Sequence, residues 1–229
     1  MSNQIIKRGV FLDPENYTNV NYDYVSKNVD FAIIKAFGKS NDESRNQLHK
    51  SQFSTAYTKA SGNNIKTGIY YELDLKSDEV TSQKKIQDKI DSIVKYLCDN
   101  YLSGRKYAYP VYFGLTQSYL FQSNLSYIVN YLNEKLVIQK RYWIGFCVAS
   151  NHLEYIEKNA SKIRRDYSFW VTNRGLSKAQ NEYYMIDNHL GMWEYSTTER
   201  VIGINKDCSM SFCFEDYPKL ISADRRNGF

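Results

Sequence analysis

The sequence predicts an α/β fold, a single β/α barrel, and three observations carry that prediction. Short apolar or aromatic runs alternate five times with helical stretches. Three further strand-like runs follow with little room for helices between them. No internal repeat, low-complexity tract or linker divides the 229 residues, so residues 1–229 read as one domain. Strand–helix alternation implies parallel pairing through right-handed crossovers, and eight strands are enough to close a barrel.

The elements follow in order. Gly9-Val10-Phe11-Leu12 is strand-like and ends in the turn Asp13-Pro14-Glu15-Asn16. Tyr22 to Asn28 is a short helix. Phe31 to Ala36 is a second strand, continuously apolar as parallel sheets require. Glu43 to Ser61 reads as a helix with Leu48, Phe53 and Tyr57 on one stripe, stopped by Gly62. Thr67 to Leu73 is a third strand. Asp78 to Leu102 is the longest helix, with Ile86, Ile90, Ile93, Val94 and Leu97 at i, i+3, i+4 spacing. Tyr109 to Leu115 is a fourth strand with Pro110 near its start, followed by a helix over Leu120 to Leu136. Tyr142 to Val148 is a fifth strand, with a helix over His152 to Ile163 after it. Ser168 to Thr172, Gly191 to Tyr195 and Cys208 to Phe212 are the closing strands.

Composition bounds the function. Hydrophobic residues at 42% and charged residues at 24% are ordinary for a globular protein. No apolar run approaches the roughly 18 residues needed to span a membrane. The N-terminus has no apolar core segment, so no signal peptide is expected. The protein is read as made in the cytoplasm and released by lysis, as a phage component or by a dedicated secretion system. The net charge of +5 comes without a dense Lys/Arg block or a nucleic-acid-binding motif, which argues against a nucleic-acid partner. Cys98, Cys147, Cys208 and Cys213 form no CxxC pair, and the three histidines at 49, 152 and 189 are scattered. No metal site or other cofactor is expected. Cys147, Cys208 and Cys213 lie in apolar runs and read as buried free thiols. The 21 tyrosines offer apolar ring faces beside polar tips, as sugar-stacking surfaces do; a compositional bias of the genome would also produce them.

Several of these segments resemble one family. Gly9-Val10-Phe11-Leu12, Val29-Asp30-Phe31-Ala32-Ile33-Ile34-Lys35-Ala36, Thr67-Gly68-Ile69-Tyr70, Tyr109-Pro110-Val111-Tyr112 and Trp193-Glu194-Tyr195-Ser196 with Val201-Ile202-Gly203-Ile204 are similar, in order and spacing, to strands of family-25 glycoside hydrolases, the Chalaropsis-type lysozymes or muramidases. The resemblance spans nearly the whole chain. It implies a β/α barrel whose last three strands lack regular helices, and peptidoglycan as the family's substrate.

That chemistry needs an acid for the leaving oxygen and a carboxylate for the developing oxocarbenium ion. The family places an Asp on the first strand, an Asp-x-Glu on the fourth and an Asp on the last. Carried over by position, these fall on Phe11, on Gly114 and Thr116, and on Ser209. Phe11 and Gly114 hold no proton and no charge. Thr116 and Ser209 form hydrogen bonds but are not general acids near neutral pH. Fallback carboxylates are Asp13, Glu72, Asp74 and Glu194, the last in place of the Gln usual in the Trp-Gln-Tyr motif; the plainer reading makes Asp13 a cap of the Pro14 turn, and Glu72 and Asp74 solvated loop charges or partners for Lys35 or Lys76. Tyr71, Tyr112, Thr116, Trp170, Asn173, Trp193 and Tyr195 are the candidate ligand-binding residues, with Arg174 and Ser196 as further hydrogen-bonding groups.

The resulting expectation is a lysozyme-like protein lacking glycosidase activity, retained as a peptidoglycan- or glycan-binding or protein-interaction module. The alternative is a divergent peptidoglycan-cleaving glycosidase with relocated carboxylates, as a phage or secretion-system cell-wall effector. The partner is then a cell-wall glycan or another protein. Sequence leaves the oligomeric state open.

Overall fold

A computed structural model describes residues 7–117, 124–172 and 191–229. Among the described residues, eight strands close a barrel in sequence order, β1 to β8. They are β1 (Lys7–Leu12), β2 (Phe31–Ala36), β3 (Lys66–Glu72), β4 (Val111–Gly114), β5 (Ile144–Ala149), β6 (Ser168–Thr172), β7 (Met192–Glu199) and β8 (Cys208–Cys213). β1 to β7 pair in parallel, and β8 runs antiparallel to both β7 and β1. The expected five β/α units and three closing strands are all present.

Among the described residues the helices are α1 (Tyr22–Val25), α2 (Glu43–Gly62), α3 (Gln83–Leu97), α4 (Leu125–Leu132), α5 (Ser150–Asn159), α6 (Ser161–Asp166) and α7 (Tyr217–Ala223). The long predicted helix divides. Ser82 caps α3 by accepting from the Lys85 amide, and at its other end the coil widens into a π-turn over Cys98–Leu102. The helix expected after β4 is α4 followed by a π-turn over Asn133–Ile138; residues 120–123 of that prediction lie outside the described residues. The helix expected over His152–Ile163 is two, α5 and α6, broken at Ala160.

In α2 the buried stripe is Asn46, His49, Phe53, Ala56 and Ala60, while Leu48 is 54% exposed. The stripe passes through two polar residues, so apolar periodicity misplaced it. Asn46 repays its burial by accepting from the Ser40 amide at 2.8 Å and donating to the Ser40 carbonyl at 2.9 Å. His49 stacks on Phe37, with ring centroids 4.1 Å apart.

Two apolar layers result from strand alternation. The outer layer, between strands and helices, holds Val10, Leu12, Ala32, Ile34, Ile69, Tyr71, Phe113, Val148 and Trp193. The interior holds Phe31, Ile33, Tyr109, Tyr112, Cys147, Trp170, Met192 and Cys213, with Phe11 and Tyr70 packed against them. Interior glycines make room for the rings: a Cβ on Gly145 would lie 2.7 Å from Cε1 of Tyr112, and one on Gly9 would overlap the Phe31 ring. The sulfurs of Cys147, Cys208 and Cys213 are free and buried; Cys98 is half-buried.

Candidate functional site

In a β/α barrel the loops at the C-terminal strand ends build the site. Phe11, Gly114, Thr116 and Ser209 all belong to that end. Phe11 turns inward and is half-buried, its ring 5.4 Å from Tyr70 and 5.7 Å from Trp170. Trp170 also meets Tyr70 at 5.9 Å and Tyr112 at 5.7 Å, both edge-on. These edge-to-face contacts are worth about 1 kcal/mol each beyond burial. They make an aromatic floor beneath the mouth.

Gly114 pairs with Glu72 across β3 and β4. A Cβ built on Gly114 would overlap the Tyr70 hydroxyl and lie 2.7 Å from its Cζ. The space beside β4 is therefore taken by the neighbouring strand's tyrosine. Thr116, two residues on, is exposed and donates from Oγ1 to Glu72 Oε1 at 3.0 Å. Ser209 is half-buried at the mouth end of β8.

Asp13 is buried at the end of β1. Its Oδ1 accepts from the Glu15 amide at 3.1 Å; its Oδ2 accepts from Asn16 Nδ2 at 3.1 Å and Lys35 Nζ at 2.8 Å. It caps the Pro14 turn and holds a cation, with three donors on its two oxygens. Glu194 is 7% exposed and pairs in register with Thr172 and Ser211. Below it, Trp170 Nε1 donates to Ser211 Oγ at 3.1 Å. Burial pushes the Tyr70 hydroxyl far up, and Cys147, Glu72 and Glu194 push it further. Burial likewise raises the Cys147 thiol, with Glu194 and Glu72 adding to it. Glu72 on β3 and Glu194 on β7 thus act on one Tyr70–Cys147 pair from strands half a barrel apart.

The other expected residues are dispersed. Asp74 is exposed and lines a cavity of about 470 Å³ beside the mouth, with Lys35, Phe37, Tyr71, Glu72 and Tyr96. Tyr71 reaches that cavity from the outer layer. Tyr112 is fully buried, and its hydroxyl meets Ser168 Oγ at 3.1 Å, toward the barrel's base rather than its mouth. Trp193 lies in the outer layer at 1% exposure. Tyr195 stacks on Phe212 at 4.3 Å and accepts from Arg8 Nε at 2.9 Å, outside the wall. Ser196 Oγ accepts from the Thr198 amide at 3.2 Å. Of the expected ligand-binding residues, Tyr112, Trp193 and Tyr195 are thus away from the mouth, the first by its depth and the other two by strand alternation. Asn173 and Arg174 lie outside the described residues. Tyr70, which meets Phe11 and Trp170, and Lys35, which pairs with Asp13, were not among the expected binding residues; their signal was a position two residues before Glu72 on β3 and next to the end of β2.

Among the described residues, no group of three His, Cys, Asp or Glu side chains is arranged to hold a metal ion. None of the helices searched there is long and apolar enough to cross a membrane.

No protein-family sequence model matches the chain, and no curated relative matches by sequence. Solved structures do match. The bacterial lysozyme from Streptomyces coelicolor superposes with a TM-score of 0.65 at 15% identity, over 97% of each chain. A family GH25 lysozyme from Aspergillus fumigatus gives 0.61 at 13% identity, over 95% of this chain and 98% of that one. The modular autolysin LytC from Streptococcus pneumoniae, in complex with a synthetic peptidoglycan ligand, gives 0.62 at 16%, over 90% of this chain and 46% of that one. The fold is that of the family-25 lysozymes.

Proposed function

We propose that this chain is a one-domain, lysozyme-fold module that binds a cell-wall glycan without cleaving it. The observation that carries the reading is the mouth itself. Phe11 and Gly114 stand where the family resemblance puts carboxylates, and the Tyr70 hydroxyl fills the space beside Gly114. Thr116 hydrogen-bonds Glu72 instead of offering an acid. Without a proton donor and a stabilising carboxylate in place, the family's route to glycosidic cleavage is closed. Peptidoglycan as the ligand class rests on the likeness to lysozymes and to the ligand-bound autolysin. Delivery to the wall would follow lysis, phage assembly or a secretion system. Co-sedimentation with insoluble peptidoglycan, without turbidity loss or release of reducing ends, is the expected result. Failure to sediment would replace the glycan with a protein partner.

One observation favours a second reading, a divergent glycosidase. Glu72 ends β3 and the buried Glu194 lies on β7, so two carboxylates come from opposite sides of the barrel. If the wild type lyses walls and Glu72→Gln and Glu194→Gln each abolish lysis, the cleaving reading replaces the binding one.

A further inference from the structure

We propose that the cavity at the base of the barrel, opposite the mouth, is a saccharide-binding site; this rests on the glycan-binding reading above and moves its location. At about 760 Å³ the cavity is larger than the one beside the mouth and falls within the roughly 300–1,000 Å³ typical of small-ligand clefts. Its position follows from topology. Ile144 and Ser168 begin β5 and β6, Gly191 precedes β7, and Glu215 and Tyr217 follow the descending β8.

Its walls suit a ring bearing hydroxyl groups. Trp143 and Tyr167 are half-buried and line it, giving apolar faces on which a sugar ring can lie. The Trp143 backbone is fixed, because its amide donates to Asn227 Oδ1 at 2.7 Å. At the floor the Ser168 and Tyr217 hydroxyls hydrogen-bond, and Ser168 continues to Tyr112. Charged groups of both signs surround this floor. Arg164 is held by Glu157 Oε1 at 3.4 Å and lies over the Phe169 ring. Arg165, Asp166 and Glu215 are exposed beside it. Donors and acceptors mixed around aromatic walls match a polyol better than a simple anion or an apolar ligand. The mouth offers the opposite: rings packed on one another and carboxylates engaged by neighbours.

The test uses Trp143→Phe and Arg165→Ala, the first conservative, the second at an exposed position. Binding to insoluble peptidoglycan is measured by co-sedimentation, and acrylamide quenching of tryptophan fluorescence is read with and without chitotetraose. Trp170 and Trp193 are 3% and 1% exposed, so quenching reports on Trp143. Each variant is expected to weaken peptidoglycan binding by about tenfold, as removal of an interface Trp or Arg commonly does, and chitotetraose should protect wild-type Trp143. Wild-type sedimentation matched by both variants, with no protection, overturns the base site and leaves the glycan-binding reading standing. No sedimentation of the wild type overturns both.

Discussion

The Tyr70 hydroxyl stands where a side chain at Gly114 would begin. The two residues sit on neighbouring strands, and each dictates the other: tyrosine reaches this far only because position 114 is glycine. Gly114→Asp therefore introduces overlap and a carboxylate into a filled space. It should destabilise the fold by about 3 kcal/mol and should produce no wall lysis. Adding Tyr70→Ala should recover part of that loss in urea unfolding. A Gly114→Asp protein as stable as wild type would show that the tyrosine moves freely.

The Asp13–Lys35 pair makes a separate prediction. Its side chains are 11% and 27% exposed and meet at 2.8 Å. Lys35→Met leaves the Asp13 carboxylate with the Glu15 amide and Asn16 alone. The expected cost is about 2 kcal/mol, between surface and fully buried pairs. A double-mutant cycle with Asp13→Asn should give a coupling of at least about 1 kcal/mol; additive effects would mean that the turn, not the pair, holds Asp13.

Alkaline stability follows from the buried tyrosines. Burial raises Tyr22 and Tyr71 to about 12 from an ordinary 10.0, and Tyr70, Tyr109 and Tyr217 further still. The folded state thus holds its phenolic protons more tightly than the unfolded chain. Their contribution is complete below the unfolded value and is lost as pH climbs from 10 towards 12. Each such tyrosine removes about 1.4 kcal/mol per pH unit over that window. Tyrosinate absorbance and circular dichroism should change together in one steep transition. Gradual ionisation with the dichroism intact would contradict the burial of these hydroxyls.

The cysteines should differ in reactivity. Burial pushes Cys208 to about 11 and Cys213 to about 12, and Cys147 well above its ordinary value. Cys98 is also raised but is half-buried rather than enclosed. Because the thiolate is the nucleophile, iodoacetamide at about pH 8 should label Cys98 slowly and the other three only in denaturant. Peptide mass spectrometry reads the order directly, and early labelling of Cys147 would place solvent in the barrel interior.

The strands were legible because continuous apolar runs such as Phe31–Ala36 leave little alternative to a buried parallel strand. The α3 stripe was legible for the same reason. The α2 stripe was not, since Asn46 and His49 are buried through hydrogen bonding and stacking that no hydrophobic pattern records. The reversal of β8 left no local signal, because direction is set by partners on β7 and β1. Helix α7 did leave one: Asp216, whose carboxylate accepts from the Lys219 amide, stands two residues before Pro218. At the site, sequence pointed to Phe11, Gly114 and Thr116 only through the family resemblance. What occupies the space around them depends on Tyr70 and Glu72 from an adjacent strand, and only the closed barrel brings them together.

The antiparallel closure has a consequence for biosynthesis. Lys7 pairs with Cys213 and Val10 with Met210, so the first strand made waits for the last. A ribosome emitting this chain releases β1 with one edge unpaired until β8 has cleared the exit tunnel. Because such sequence-distant pairing is slow, the nascent barrel carries an open sheet edge for the whole interval between making β1 and making β8, and shielding that edge is a demand on chaperones throughout it.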